Sequence, residues 1–127
     1  MDKMSTKQGK NMASDLRRPL LAGNWKRHLT LGESASLAKA VAAASTGASG
    51  VSAVFVPFTA LTVVAEVLKG TPVRVGAQDC YWEEKGAFTG EVSAGQVKDA
   101  GASMVLIGHS ERRKLFNDTD EWINKKL

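Results

Sequence analysis

A single cysteine, three prolines, one tyrosine and no long apolar run leave several functions out of reach of these 127 residues. Cys80 has no partner for an intramolecular disulfide and cannot build a metal cluster by itself. It follows an apolar run, where a small inert hydrophobe is expected rather than a nucleophile. No stretch approaches the roughly 20 apolar residues a membrane-spanning helix needs. The opening segment MDKMSTKQGKNMASD has no apolar core of a secretory signal. It carries Asp2 and Asp15 and no arginine, unlike a transit peptide. A cytoplasmic location follows as the expectation. The formal charge of +4 is unevenly placed. Lys3, Lys7, Lys10, Arg17 and Arg18 against Asp2 and Asp15 give the first 18 residues +3, leaving +1 for the other 109. A nucleic-acid groove would need that excess on a folded face among exposed aromatics, so nucleic acid is not an expected partner. Residues 1–18 read as a disordered polar tail and residues 19–127 as one domain.

Beyond the tail, apolar runs alternate with stretches of helical period. Pro19–Asn24 reads as a buried strand, and Gly32–Ala44 as an amphipathic helix with Leu37, Val41 and Ala44 on one face. Val51–Val56 is a second strand, stopped by Pro57. Leu61, Val64, Val67 and Leu68 share a helix face, and Gly70 is placed to end that helix. Val73–Gln78 is a third strand, followed by a long loop from Asp79 to Glu91. Ser93 is positioned to cap a short helix ending near Gly101. Ala102–Gly108 is the most apolar strand, and Asp118 with Glu121 resembles a capping box for a last helix. Strands apolar throughout, separated by crossover helices, make a parallel α/β sheet. Periodicity leaves two architectures open: a doubly wound sheet or four units of a barrel.

In both, chemistry gathers at the C-terminal ends of strands. Those ends read Asn24-Trp25-Lys26, Gln78-Asp79 and Gly108-His109-Ser110-Glu111-Arg112-Arg113. Lys26 can offer positive charge to a phosphate or an enediolate. His109 can donate a proton to an oxygen, and Glu111 adds a second proton-handling group. Each also has a plain reading: Lys26 as a solvated charge, His109 as a structural hydrogen-bonding residue, Glu111 as a complement to a helix dipole.

Four motifs narrow the choice. Ala22-Gly23-Asn24-Trp25-Lys26, Gly76-Ala77-Gln78, the run from Tyr81 to Glu91, and Ile107 to Arg113 together resemble the triosephosphate isomerase family. They stand in its order and approximate spacing, from about residue 19 to 127. The resemblance implies the first four βα units of a (β/α)8 TIM barrel, with parallel strands. It implies catalysis of the exchange between dihydroxyacetone phosphate and glyceraldehyde 3-phosphate, through an enediolate and without cofactor or metal. It makes Asn24 and Lys26 substrate-binding residues, His109 the electrophile that polarises the carbonyl, and Glu111 a second active-site acid beside Lys26. The Asp79–Glu91 loop would reach into a homodimer partner, with Thr89 approaching the partner's Asn24 and His109. Gln78 and Arg112 would lie at that interface.

A full barrel of this kind takes roughly 250 residues. The family's catalytic base, a glutamate after the sixth strand, and the phosphate loops after strands seven and eight are expected beyond Leu127. This stretch alone is therefore expected to be inactive, and to expose strand edges that drive association. Lys125-Lys126-Leu127 ends inside a helix without a cap, which reads as an interrupted sequence. A non-catalytic half barrel that pairs with another half is the alternative. Three positions depart from the family pattern: Arg27 where an apolar residue is usual, Asp79 for asparagine, and Asp118 for glutamate.

Overall fold

Each of the four strands pairs with the next one along the chain, all parallel, so the sheet order is β1-β2-β3-β4. The computed structural model describes residues 18–127, so the expected tail lies outside the described residues except for Arg18. The strands are β1 (Leu20–Asn24), β2 (Val51–Val56), β3 (Arg74–Ala77) and β4 (Met104–Val105). The helices are α1 (Leu31–Ala44), α2 (Phe58–Leu68), α3 (Ala94–Asp99), α4 (Ser110–Leu115) and α5 (Asp120–Lys126). A doubly wound sheet reverses its strand order at a switch point. Here it never reverses, and right-handed crossovers repeated in one direction curl a sheet toward a barrel. That decides between the two architectures.

The core forms where β2 and β3 meet α2. Val54, Val56, Leu61, Val64, Leu68, Val75 and Ala77 are buried together, with Ala38 and Val97 against them. The α2 face read from the sequence is the one that packs. Gly70, with φ 77°, follows α2 in the left-handed conformation that suits a helix end. Gly76 is required by contact: a Cβ there would collide with the Phe55 ring on β2. Ser93 caps α3 as expected, with Gln96 completing a capping box. Thr30 and Glu33 form a second capping box that starts α1.

Four expectations need correction. β1 reads as buried, yet Leu20 and Leu21 are 49% and 63% exposed. β2 is its only neighbour among the described residues, so the outer edge and much of both faces are open. β4 shrinks from seven expected residues to two, because its ladder to β3 ends at Ala77. Leu106 N–H donates to Ala77 O at 2.9 Å, the last bond of that pairing. On α1, Ser34 and Ala38 are buried while Leu37 and Ala44 are exposed. A helix with six alanines has too few large side chains for periodicity to fix its packed face. Finally, Thr119 and not Asp118 caps α5, accepting from Trp122 N at 3.2 Å. Asp118 is buried in an ion network described below.

The Asp79–Glu91 loop is held by its own aromatics. The Tyr81 ring lies 4.1 Å from Trp82 and 4.8 Å from Phe88, and Trp82 meets Trp122 of α5 at 5.5 Å. No described helix is long and apolar enough to cross a membrane.

Candidate active site

The C-terminal ends of the strands open onto a cleft of about 280 Å³ lined by Asn24, Lys26, Gln78, His109, Glu111 and Arg112, among others. β1 delivers Asn24, whose Oδ1 accepts the backbone N–H of Lys26 at 2.9 Å. That local turn places Lys26 at φ 53°, a conformation uncommon for any residue but glycine. Gln78, at the end of β3, fixes the turn from below. Its Nε2 donates to Lys26 O at 2.7 Å, to Phe55 O at 3.1 Å and to Asn24 Oδ1 at 3.3 Å. Two of these contacts reach the turn itself and hold its uncommon backbone against the end of β3.

Lys26 Nζ then reaches Glu111 Oε1 at 2.7 Å. This hydrogen bond holds the Glu111 carboxyl below its ordinary value, so it stays ionised. His109 sits at the N-terminus of α4, where its Nδ1 accepts the backbone N–H of Glu111 at 3.1 Å. An imidazole nitrogen that accepts carries no proton, so the proton resides on Nε2. His109 can therefore donate through Nε2, beside a lysine whose place is set by a carboxylate. Such a pair can polarise a carbonyl and stabilise the oxyanion that follows.

Behind the cleft lies a second group of charges. Arg112 Nε contacts Asp118 Oδ2 at 3.0 Å and Asp79 Oδ2 at 3.2 Å. Lys126 Nζ, from α5, contacts Asp79 Oδ1 and Asp118 Oδ2, both at 2.8 Å. The Lys126 and Asp118 side chains are 2% and 0% exposed. Burial pushes the Asp118 carboxyl up, but hydrogen bonds from Lys126 and Arg112 outweigh it and the net direction is down. Burial likewise pulls Lys126 down, and its bonds to Asp118 and Asp79 bring it above its ordinary value. Two carboxylates balance two cations, and the set ties the end of β3 to α4 and α5.

Asn24, Lys26, His109 and Glu111 thus converge in one cleft. Gln78 adjoins them and turns its amide into its own chain. Arg112 bridges the cleft and the buried charges. Thr89 does not join them: it lies on the projecting loop, beside a separate depression with Tyr81, Phe88 and Trp122. The sequence reading did not find the role of Asp79 and Lys126, which are 47 residues apart. Cys80 is buried, and burial followed by the Asp79 charge raises its thiol, consistent with an inert residue. Among the described residues no group of histidine, cysteine or acids is arranged to hold a metal ion.

Comparison with known proteins bears on this geometry. The family model described as triosephosphate isomerase matches residues 19–127. The triosephosphate isomerase of Pelobacter propionicus is 53% identical over 112 residues, covering 87% of this chain and 45% of that protein. That of Geotalea uraniireducens is 50% identical with the same coverage. The crystal structure of the Bartonella henselae enzyme superposes with a TM-score of 0.78 at 38% identity, over 86% of this chain and 45% of that one. The chain therefore spans a little under half the length of the relatives it matches.

Proposed function

Because this chain belongs to the triosephosphate isomerase family, with a fold that corresponds to the first four βα units of a barrel, we propose that it supplies the electrophilic half of that isomerase site. The substrate is a triose phosphate, and the exchange of dihydroxyacetone phosphate and glyceraldehyde 3-phosphate runs through an enediolate, in the cytoplasm. His109 Nε2–H donates to the carbonyl oxygen, and Lys26 stabilises the negative charge that develops there. Glu111 keeps Lys26 in place, and Asn24 orients the substrate. The observation that carries this reading is the bond from Glu111 N to His109 Nδ1, next to the Lys26–Glu111 pair. It leaves an Nε2 donor and a cation facing one cleft. The proton between the two carbons is moved by a carboxylate base that these 127 residues do not provide, so the chain alone does not turn over. It associates as a dimer, the Asp79–Glu91 loop of each copy seated against the cleft of the other.

The test is complementation. The chain, purified from a host lacking the isomerase, is assayed alone and after mixing with the C-terminal half of the Pelobacter propionicus relative. The expected result is no turnover alone, turnover in the mixture, and its loss with His109→Gln. Turnover by the chain alone at the rate of a full enzyme overturns the division of labour. Activity in the mixture that ignores His109→Gln overturns the assignment of the electrophile. A stable mixed complex with no turnover favours the alternative, a non-catalytic half barrel that pairs.

A further inference from the structure

Arg27 stands at the mouth of the cleft, one residue beyond Lys26, and is exposed. The two cations differ in their surroundings. Lys26 is bonded to Glu111 at 2.7 Å, whereas the Arg27 guanidinium has no hydrogen bond or ion pair within the described chain. Arg112, deeper in the cleft, is held by Asp79 and Asp118. Arg27 is the cation here that nothing neutralises.

The projecting loop has the opposite excess. Glu83, Glu84 and Glu91 against Lys85 give its exposed part a net charge of −2. Glu84 is loosely tethered, accepting Gly95 N–H at 3.4 Å. Glu83 beside it is exposed and makes no ion pair. The loop presents this acidic shoulder from a stiff base, because Tyr81, Trp82 and Phe88 stack beneath it and Trp82 is fastened to Trp122. A preordered acidic projection and an unpaired arginine at a cleft mouth are complementary, and each copy of the chain carries both.

We propose that Arg27 is a charge anchor for the Glu83–Glu84 shoulder of a second copy of this chain. The inference rests on the reading that the loop of one copy seats in the cleft of the other. An arginine next to two carboxylates at a rim favours capture and register more than depth of affinity, and is weakened by salt. The isologous arrangement doubles the contact, since each copy gives one arginine and receives one shoulder.

Sedimentation of the chain and three variants tests it. One variant is Arg27→Glu, one is the double change Glu83→Arg with Glu84→Arg, and one is Thr89→Arg, which obstructs the loop tip. All sites are exposed, and circular dichroism verifies that each variant folds. The wild-type dimer is expected to weaken as NaCl is raised. Arg27→Glu and the double variant are each expected to weaken it by roughly tenfold or more, since each puts like charges together twice. Mixed in equal amounts, these two are expected to recover association, because the mixed dimer has opposite charges at both contacts. Failure of the mixture to recover, or an unaltered Arg27→Glu dimer alongside a Thr89→Arg chain that cannot associate, overturns the role of Arg27 and leaves the loop reading standing. A Thr89→Arg chain that associates like wild type overturns the loop reading and the inference with it. A wild-type chain that remains monomeric at every concentration reached overturns both.

Discussion

Two sets of ion pairs flank α4, and their bond lengths hardly differ while their surroundings do. Lys26 and Glu111 meet at 2.7 Å with side chains 53% and 44% exposed. Lys126 meets Asp79 and Asp118 at 2.8 Å with the lysine 2% exposed. In water the attraction between two charges is screened, and holding two long side chains together costs entropy, so the first pair contributes little to folding. The second set has given up its hydration and depends on its own members for compensation. Distance alone would rank them equal. Solvent separates an exposed pair at a cleft from a buried cluster that the fold cannot lose in part.

Removing one member of the buried set is the strongest way to break the comparison. Lys126→Met leaves Asp79 and Asp118 close together with Arg112 as their sole cation. It is expected to cost about 3–5 kcal/mol, the usual range for a buried charge stripped of its partner. Urea unfolding followed by tryptophan fluorescence measures it. A loss no larger than a typical surface substitution would contradict the burial argument.

Acid tests the same set without a mutation. The folded chain holds Asp118 below the ordinary aspartate value of 3.8. As pH falls the unfolded chain therefore takes up that proton first. The contribution is complete above pH 3.8 and is lost as the pH drops through the lower folded value. At the alkaline end the folded chain holds Lys126 above its ordinary 10.5, so its contribution is complete below that pH and lost above it. Denaturation midpoints across both windows check the two signs. Asp79→Asn sharpens the result, since it removes one of the two negative charges that raise Lys126 but keeps an oxygen acceptor. It is expected to cost about 1.5–3 kcal/mol, the scale of a hydrogen bond to a charged group, and to bring the alkaline loss to lower pH.

These contrasts also mark how far the residues could be read in one dimension. The alternation of apolar strands and helices, the Ser93 cap and the Leu61–Leu68 face are local patterns, each set within a few positions, and they appear in the fold as read; Asn24, Lys26, His109 and Glu111, read as strand-end residues, line one cleft. The buried charges are not local. Lys126 looks like a solvated end of a basic run until α5 folds back to the end of β3. Asp118 satisfies the spacing of a capping box, yet a better cap at Thr119 frees it to turn inward. Thr30 and Glu33 were legible by the same rule that found Ser93. The exposure of β1 is a property of neighbours: Leu20 and Leu21 have the composition of a core strand, and their burial depends on what lies beyond the sheet edge.

The smallest expected effect on stability is the one with most bearing on chemistry. Lys26→Met removes the exposed partner of Glu111, whose carboxylate can be resolvated without moving the backbone. The urea midpoint is expected to shift far less than for Lys126→Met, and raising the salt is expected to narrow what difference remains. The turn itself is retained, because Asn24 and Gln78 bond the backbone of Lys26 and not its ammonium. In the complemented isomerase assay the same substitution is expected to abolish turnover, as the oxyanion-stabilising role proposed for Lys26 requires. A Lys26→Met chain as destabilised as Lys126→Met would place the pair with the structural charges. A chain with stability intact and turnover lost separates the two sets by function, as their exposure to solvent already does.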